Sequence, residues 1–231
     1  TAPLWEGQDL TTGSAITVTV NGAVTGGSGG AYGVWVDGGN IDNLVTIGAT
    51  GSVGALSGTA INYTGNATNG FALLNVNNNG TVNGSVNLSY ATGPSGTFTN
   101  NGTWNAGANA TLSGDIMDNG LVLIGEASGS PGLLSVNGDY TQSISGVLRM
   151  TITGLAVEDY DTVAISGQAG FGGVLQLAFT NYSPDVGNTF TLITGASGTF
   201  DFIDVNVSGL IEGILWTTNQ VTSESQTSFV L

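Results

Sequence analysis

Apolar and polar residues alternate in short stretches along most of the chain. In Ile16-Thr17-Val18-Thr19-Val20 the aliphatic side chains fall on one face and the threonines on the other. Leu148, Met150 and Ile152 alternate with Arg149, Thr151 and Thr153, and Phe190 and Leu192 repeat the pattern around a threonine. A period of two, bounded by Gly and Asn, is the signature of strands joined by tight turns. Strong helix formers are scarce, and Gly, Asn, Thr and Ser interrupt every window of helical length. The pattern predicts an all-β fold.

A repeat selects the architecture. A turn-like Asn/Thr-Gly followed by a small residue and an apolar one recurs through the first half of the chain. It appears as Asn21-Gly22-Ala23-Val24, Thr50-Gly51-Ser52-Val53, Asn79-Gly80-Thr81-Val82, Asn101-Gly102-Thr103-Trp104 and Asn119-Gly120-Leu121-Val122. Gly138, 18 residues beyond Gly120, extends the series. Units of ~18–30 residues with equivalent glycine turns suit the coils of a parallel β-solenoid. An antiparallel sandwich places strands at closer spacing and has no need of a recurring turn. At ~25 residues per coil and ~4.8 Å per level, about nine coils make a rod of about 45 Å. Asn77, Asn78, Asn79, Asn100 and Asn101 suit amide rows stacked between coils, or equally plain turns that tolerate a left-handed backbone.

From about residue 130 the Gly and Asn density falls and longer strands are expected, over 133–136, 146–153, 162–166, 174–180 and 189–194. This divides the chain into Gly/Asn-rich solenoid coils (1–130) and a C-terminal solenoid or cap region (131–231). The second part carries Leu134-Ser135-Val136-Asn137-Gly138-Asp139-Tyr140-Thr141-Gln142, then Tyr160-Asp161-Thr162-Val163-Ala164-Ile165-Ser166-Gly167 and Gly172-Gly173-Val174-Leu175. Gly187-Asn188-Thr189-Phe190-Thr191-Leu192-Ile193 and Gly198-Thr199-Phe200 follow. In order and spacing these segments resemble the autochaperone-like C-terminal end of bacterial autotransporter passenger domains, and the first half is similar to their loosely repeated coils. The resemblance implies an exported, cell-surface β-helix, often an adhesin, and supplies no catalytic residues. The chain departs from that family in lacking a translocator barrel after Leu231 and in its near absence of basic residues.

Composition narrows the chemistry. The 231 residues include 39 glycines, 16 Asp plus Glu, one basic side chain, and neither His nor Cys, for a formal net charge of −15. With Arg149 as the only strong side-chain cation, a run of phosphates cannot be neutralised, which excludes nucleic-acid binding. Without Cys, His and Lys there is no disulfide framework, zinc or haem site, thiol nucleophile, Ser-His-Asp triad or Schiff base. The 40% hydrophobic content and mean hydropathy of +0.23 argue against disorder. No stretch reaches the ~20 apolar residues of a transmembrane helix. The opening Thr1-Ala2-Pro3-Leu4-Trp5, with neither an initiator Met nor a leader, reads as a mature or trimmed product. Exported, extracellular or cell-surface residence is the expectation.

Carboxylates remain as the groups able to do acid–base work. Glu158, Asp159 and Asp161 form one group and Asp115 with Asp118 a second, although acidic residues in turns are usually just solvated. Arg149 is the sole candidate for a lyase base, and strand alternation turns it outward. Calcium fits better than catalysis: Asp37-Gly38-Gly39-Asn40-Ile41-Asp42 offers Asp37 and Asp42 with turn carbonyls, and Glu158, Asp159 and Asp161 are the other candidate ligands. Asn-x-Ser/Thr sites at Asn62, Asn66, Asn79, Asn83, Asn87, Asn101, Asn109, Asn181 and Asn206 are glycosylation candidates or plain turn formers. Trp5, Trp35, Trp104 and Trp216 line a sugar-binding face only if the coils align them, with Trp104 and Trp216 expected in the core or capping an edge.

These readings converge on a non-enzymatic extracellular structural protein. Solenoid ends are exposed sheet edges, and Leu4-Trp5 and the strand-like Thr227–Leu231 are candidates for pairing with a neighbour. A head-to-tail contact that does not close gives a homopolymer, a fibre or layer. A monomeric adhesin binding surface glycans is the alternative, and a carboxylate enzyme the third reading.

Overall fold

The structure is a computed structural model that describes residues 4–5, 15–37, 41–65, 72–89, 95–125, 130–223 and 226–231. Its elements begin with β1 (Leu4–Trp5), β2 (Thr17–Val20), β3 (Ala23–Gly26), β4 (Val34–Asp37), β5 (Asn43–Ile47) and β6 (Ser52–Thr64). The middle holds β7 (Leu74–Asn78), β8 (Thr81–Asn87), β9 (Thr97–Asn100), β10 (Thr103–Gly107), β11 (Asn109–Ser113), β12 (Asp115–Asp118) and β13 (Leu121–Ile124). Then come β14 (Leu133–Asn137), β15 (Tyr140–Gln142), β16 (Val147–Ile152), β17 (Thr162–Phe171), β18 (Val174–Phe179) and β19 (Thr191–Phe200). β20 (Asp204–Ser208), β21 (Asn219–Thr222) and β22 (Thr227–Val230) finish the chain. The one helical piece among the described residues is a 3₁₀ turn, Val157–Asp159.

Each coil contributes to three faces, and strands stack in parallel register from level to level. The first face runs β2, β5, β7, β9, β12, β15, then the second halves of β17 and β19. The second runs β3, β6, β8, β10, β13, β16, β18, β20. The third runs β1, β4, β6, β8, β11, β14, then the first halves of β17 and β19. The fold is the expected all-β parallel solenoid. The files pass residue 130 without interruption, so coils on both sides of it belong to one stack.

Two details of the repeat differ from expectation. Among the described residues each file holds eight parallel strands, against the nine coils expected, which at ~4.8 Å per level is about 34 Å from first to last. The coils run to as many as 31 residues, and the chain beyond β20 folds back as antiparallel strands without adding a parallel level. Gly138 belongs to a different corner from Gly22, Gly51, Gly80, Gly102 and Gly120. It stacks between Gly114 and Gly167, accepting the Gly167 N–H at 3.0 Å. Gly146 continues the first column: Val147 N–H donates to Gly120 O at 2.7 Å and Val174 N–H to Gly146 O at 2.9 Å. The even 18-residue spacing joined two separate columns.

Inward positions stack as rows, because parallel register sets equivalent residues directly above one another. Val24, Val53, Val82, Trp104, Val122, Leu148 and Leu175 form one row. Val34, Ile61, Val86, Leu112, Val136 and Ile165 form another. Trp104 is fully buried, donates its Nε1–H to Gly84 O at 2.9 Å and meets Phe98 edge-on at 5.2 Å. Burying these aliphatic and aromatic side chains is the main favourable term of folding.

The C-terminal end is closed differently from the expectation. β22 pairs antiparallel with both β19 and β21. A strand expected to seek a neighbouring molecule is therefore used within the chain. Its apolar alternation is satisfied when Phe229 packs on Phe200 at 5.6 Å and Phe202 at 5.3 Å.

The glycine column carries a direct test. A methyl group at Gly120 would overlap the Gly102 carbonyl oxygen, whereas one at Gly22 meets nothing within 4 Å. Gly120→Ala is expected to destabilise by about 2 kcal/mol, and Gly22→Ala to stay within about 0.5 kcal/mol of the parent, as read by urea unfolding.

Candidate functional site

The corner between the first and second faces holds a buried polar column. Asn78, Asn100, Asp118 and Gln142 occupy the same inward position on four successive levels, bounded by Ile47 below and Phe171 above. All four polar side chains are buried. Asn78 Nδ2 donates to Asn100 Oδ1 at 2.8 Å and to Thr103 O at 3.0 Å. Asn100 Nδ2 repeats this toward Asp118 Oδ1 at 2.8 Å and Leu121 O at 3.3 Å. Gln142 Nε2 reaches Gly146 O, Gly172 O and Val174 O at 2.8–3.3 Å. Burial without such partners would cost each amide more than the bonds return.

Asp118 is the ionisable member of the column. It accepts from Asn100, from Gly120 N–H at 3.2 Å and from Tyr140 Oη at 3.4 Å. Burial raises its carboxyl to about 7, against the opposing pull of those hydrogen bonds. Burial together with the adjacent carboxylate pushes the Tyr140 phenol well above its usual value.

Outward amides form further columns. Asn101 Nδ2 donates to Asn79 Oδ1 at 3.1 Å, and Asn119 Nδ2 to Asn101 Oδ1 at 2.9 Å. Asn87 Nδ2 donates to Asn62 Oδ1 at 2.9 Å, and Asn83 Nδ2 to Ser52 Oγ at 3.4 Å. Of the asparagines expected to stack, Asn78, Asn79, Asn100 and Asn101 do so. Asn77 lies opposite Thr99, which has no amide to continue a row. Asp118, Tyr140 and Gln142 were not foreseen in this role. The available signal was the triplet Asn78-Asn79-Gly80, Asn100-Asn101-Gly102, Asp118-Asn119-Gly120, visible once the repeat is aligned one residue earlier.

The acidic candidates are held apart or spent on the backbone. Asp161 is buried, and its two carboxylate oxygens accept Gly132 N–H and Thr151 N–H, each at 2.6 Å. Glu158 is exposed in the 3₁₀ turn, and the Asp159 carbonyl accepts the Thr153 N–H and hydroxyl at 2.7 and 2.9 Å. Asp37 Oδ1 accepts the Thr64 hydroxyl at 3.0 Å, and Asp42 Oδ1 accepts Leu73 N–H at 2.9 Å. Gly38, Gly39 and Asn40 of that loop lie outside the described residues. Asp115 Oδ1 accepts Asp139 N–H at 2.9 Å, so Asp115 and Asp118 serve different corners. Among the described residues no three His, Cys, Asp or Glu side chains come together to hold a metal ion. Arg149 donates its Nε–H to Gln176 Oε1 at 3.0 Å on the outer side of the second face.

The sequons fall in varied settings. Asn62 is buried, while Asn79, Asn83, Asn87 and Asn101 engage their amides in the columns above. Asn109, Asn181 and Asn206 are exposed, Asn181 in the left-handed region at φ 55°. Asn66 lies outside the described residues. At the C-terminal end, Phe179, Phe190, Leu210, Leu215, Trp216 and Leu231 line an apolar groove of about 500 Å³. Trp216 stands on its wall 42% exposed, not in the core.

No family model matches the chain, and no curated protein matches it.

Removing a carboxylate distinguishes a structural acid from a solvated one. Asp161→Ala leaves two half-buried N–H groups without their carboxylate acceptor and is expected to destabilise by about 2 kcal/mol. Glu158→Ala is expected to change stability by less than about 0.5 kcal/mol. Thermal melts of both variants check the contrast.

Proposed function

We propose that this chain is a non-enzymatic, extracellular structural protein, a passenger-type β-solenoid that joins copies of itself into a surface fibre or layer. The observation that carries this reading is the outer edge of β20. β20 pairs with β18 and with no second strand among the described residues. Asp204 lies opposite Val174, whose own N–H is turned down to Gly146 O, so Asp204, Asn206 and Ser208 bond to β18 and the N–H groups of Val205 and Val207 point away from the stack. Such an edge is a template for strand addition.

Charge and surface support the same reading. Only 7% of residues are charged, so bringing levels of two molecules together desolvates few ions. The net charge of −15 keeps the isolated rod in solution and opposes its association. Acid or divalent cations lower that repulsion.

The exposed Trp216 beside Asp185 and Asn188 favours the second reading, a monomeric adhesin that stacks a sugar ring on the indole. A glycan array separates it from assembly.

Electron microscopy and light scattering at pH 5 or with added calcium are expected to show unbranched fibres or ordered layers. Val207→Pro deletes one outward donor and leaves the N–H groups of Asp204, Asn206 and Ser208 on β18. That variant is expected to keep the parent melting temperature while assembling at least tenfold more slowly. Monomers under every condition would overturn the assembly reading.

A further inference from the structure

The polar column obeys a rule at two of its junctions. The side-chain N–H₂ of one level donates upward to the side-chain oxygen of the next and to the first carbonyl of the adjoining strand. At the third junction the lower residue is Asp118, which brings an oxygen to the place where Asn78 and Asn100 bring a nitrogen. Above it Gln142 spends its Nε2 upward on Gly146 O, Gly172 O and Val174 O. Its Oε1 is left buried with no hydrogen-bond partner. The two side chains converge on one point: a methyl group at Gly146 would lie 2.6 Å from Gln142 Cγ and 3.3 Å from Asp118 Oδ2. An ionised Asp118 brings no donor to this junction, and Gln142 Oε1, on the next level of the same column, stays without one.

We propose that Asp118 stands in the folded protein as a neutral carboxylic acid, its Oδ2–H replacing an asparagine N–H and donating to Gln142 Oε1. The proton completes the column and gives the buried Gln142 Oε1 a partner. The surroundings favour this state. β9 presents Asn100, β15 presents Tyr140 and Gln142, and the strands and turns at the corner present Gly120, Leu121 and Gly146. Tyr140 is the only titratable group among them, and its phenol stays neutral. Asp115, at the far end of β12, turns to Asp139 N–H instead. Desolvation of the carboxyl acts in the same direction.

The column is then a pH-sensitive tie across four levels. A carboxyl held above its unfolded value stabilises the fold fully below the unfolded pKa, and the contribution is lost as pH rises through the folded one. The window lies between 3.8 and about 7. Across it the folding equilibrium constant is expected to fall by roughly a thousandfold through this group alone. The rod is tightest in mildly acidic surroundings, whether or not rods join end to end.

Carboxyl carbon NMR of the parent protein, with aspartate labelled, reads the proton directly. One aspartate is expected to titrate near pH 7 while the protein stays folded, and that signal is expected to be absent from Asp118→Asn. The variant restores an N–H₂ to the third junction. Its melting temperature is expected to exceed the parent's at pH 8 and to approach it at pH 4. The proposal is overturned if every aspartate in the folded parent titrates below pH 5. It is equally overturned if Asp118→Asn melts below the parent at pH 8.

Discussion

Parallel, in-register stacking is the constraint on which the rest of the molecule depends. Once each level lies ~4.8 Å above the last, every position sees its own equivalent directly above and below it. A side chain must therefore be compatible with a copy of its own kind. Aliphatic rows satisfy this by dispersion and burial. Amides satisfy it because each has a donor and an acceptor and can pass one bond up the stack. Glycine satisfies it at corners, where the carbonyl of the level below occupies the space a Cβ would need. Stability is then a sum over neighbouring levels, and a fault at one level is felt mainly by the two that touch it.

The same constraint explains the composition. Like charges stacked at the strand spacing repel with nothing intervening, and cross-strand like-charge pairs destabilise a sheet. Hydroxyls and amides stack without that penalty, so Thr, Ser and Asn cover the outer faces while only 7% of residues are charged. Several of the carboxylates that remain take positions where backbone N–H groups need an acceptor, whether buried like Asp161, half-buried like Asp115 or exposed like Asp139. Asp161 closes the junction of Gly132 and Thr151 in this way, and Asp115 and Asp139 cap N–H groups of the level above them.

The repeat could be read in the sequence because the constraint writes itself there. The Gly-x-apolar recurrence named the solenoid, and the asparagine pairs before glycine named two amide columns. What escaped reading was whatever depends on which corner a residue reaches. Gly138 continued a numerical series but not a column, since coil lengths vary while stacking does not. Asp118 passed as half of an acidic pair because its neighbour in sequence, Asp115, is not its neighbour in the stack. The fate of Thr227–Leu231 was hidden for a related reason. A strand pattern states that pairing is needed, not whether the partner belongs to the same molecule, and here β19 and β21 supply it. Trp216 shows the limit for aromatics: its type suggests burial, yet it lies on the turn between β20 and β21, past the last level that could cover it.

The ends of the columns show why the C-terminal end is asymmetric. On the first face the amide column stops at Gln142, and Phe171 takes the next place. Tyr140 and Phe171 stack at 4.7 Å, Phe171 and Phe200 at 5.7 Å, and Phe229 then covers Phe200 from the terminal hairpin. An aromatic row cannot end in water without exposing a ring face, so the change from amide to ring creates the need for a cap. The antiparallel strand β22 meets that need on the third face and closes it to further parallel levels. The second face carries no aromatic row at its top. Leu175 and Leu177 are followed by the half-buried Val205 and Val207 of β20, and no cap crosses them among the described residues. Closure follows the rings, and the edge of β20 is left where the rings are not.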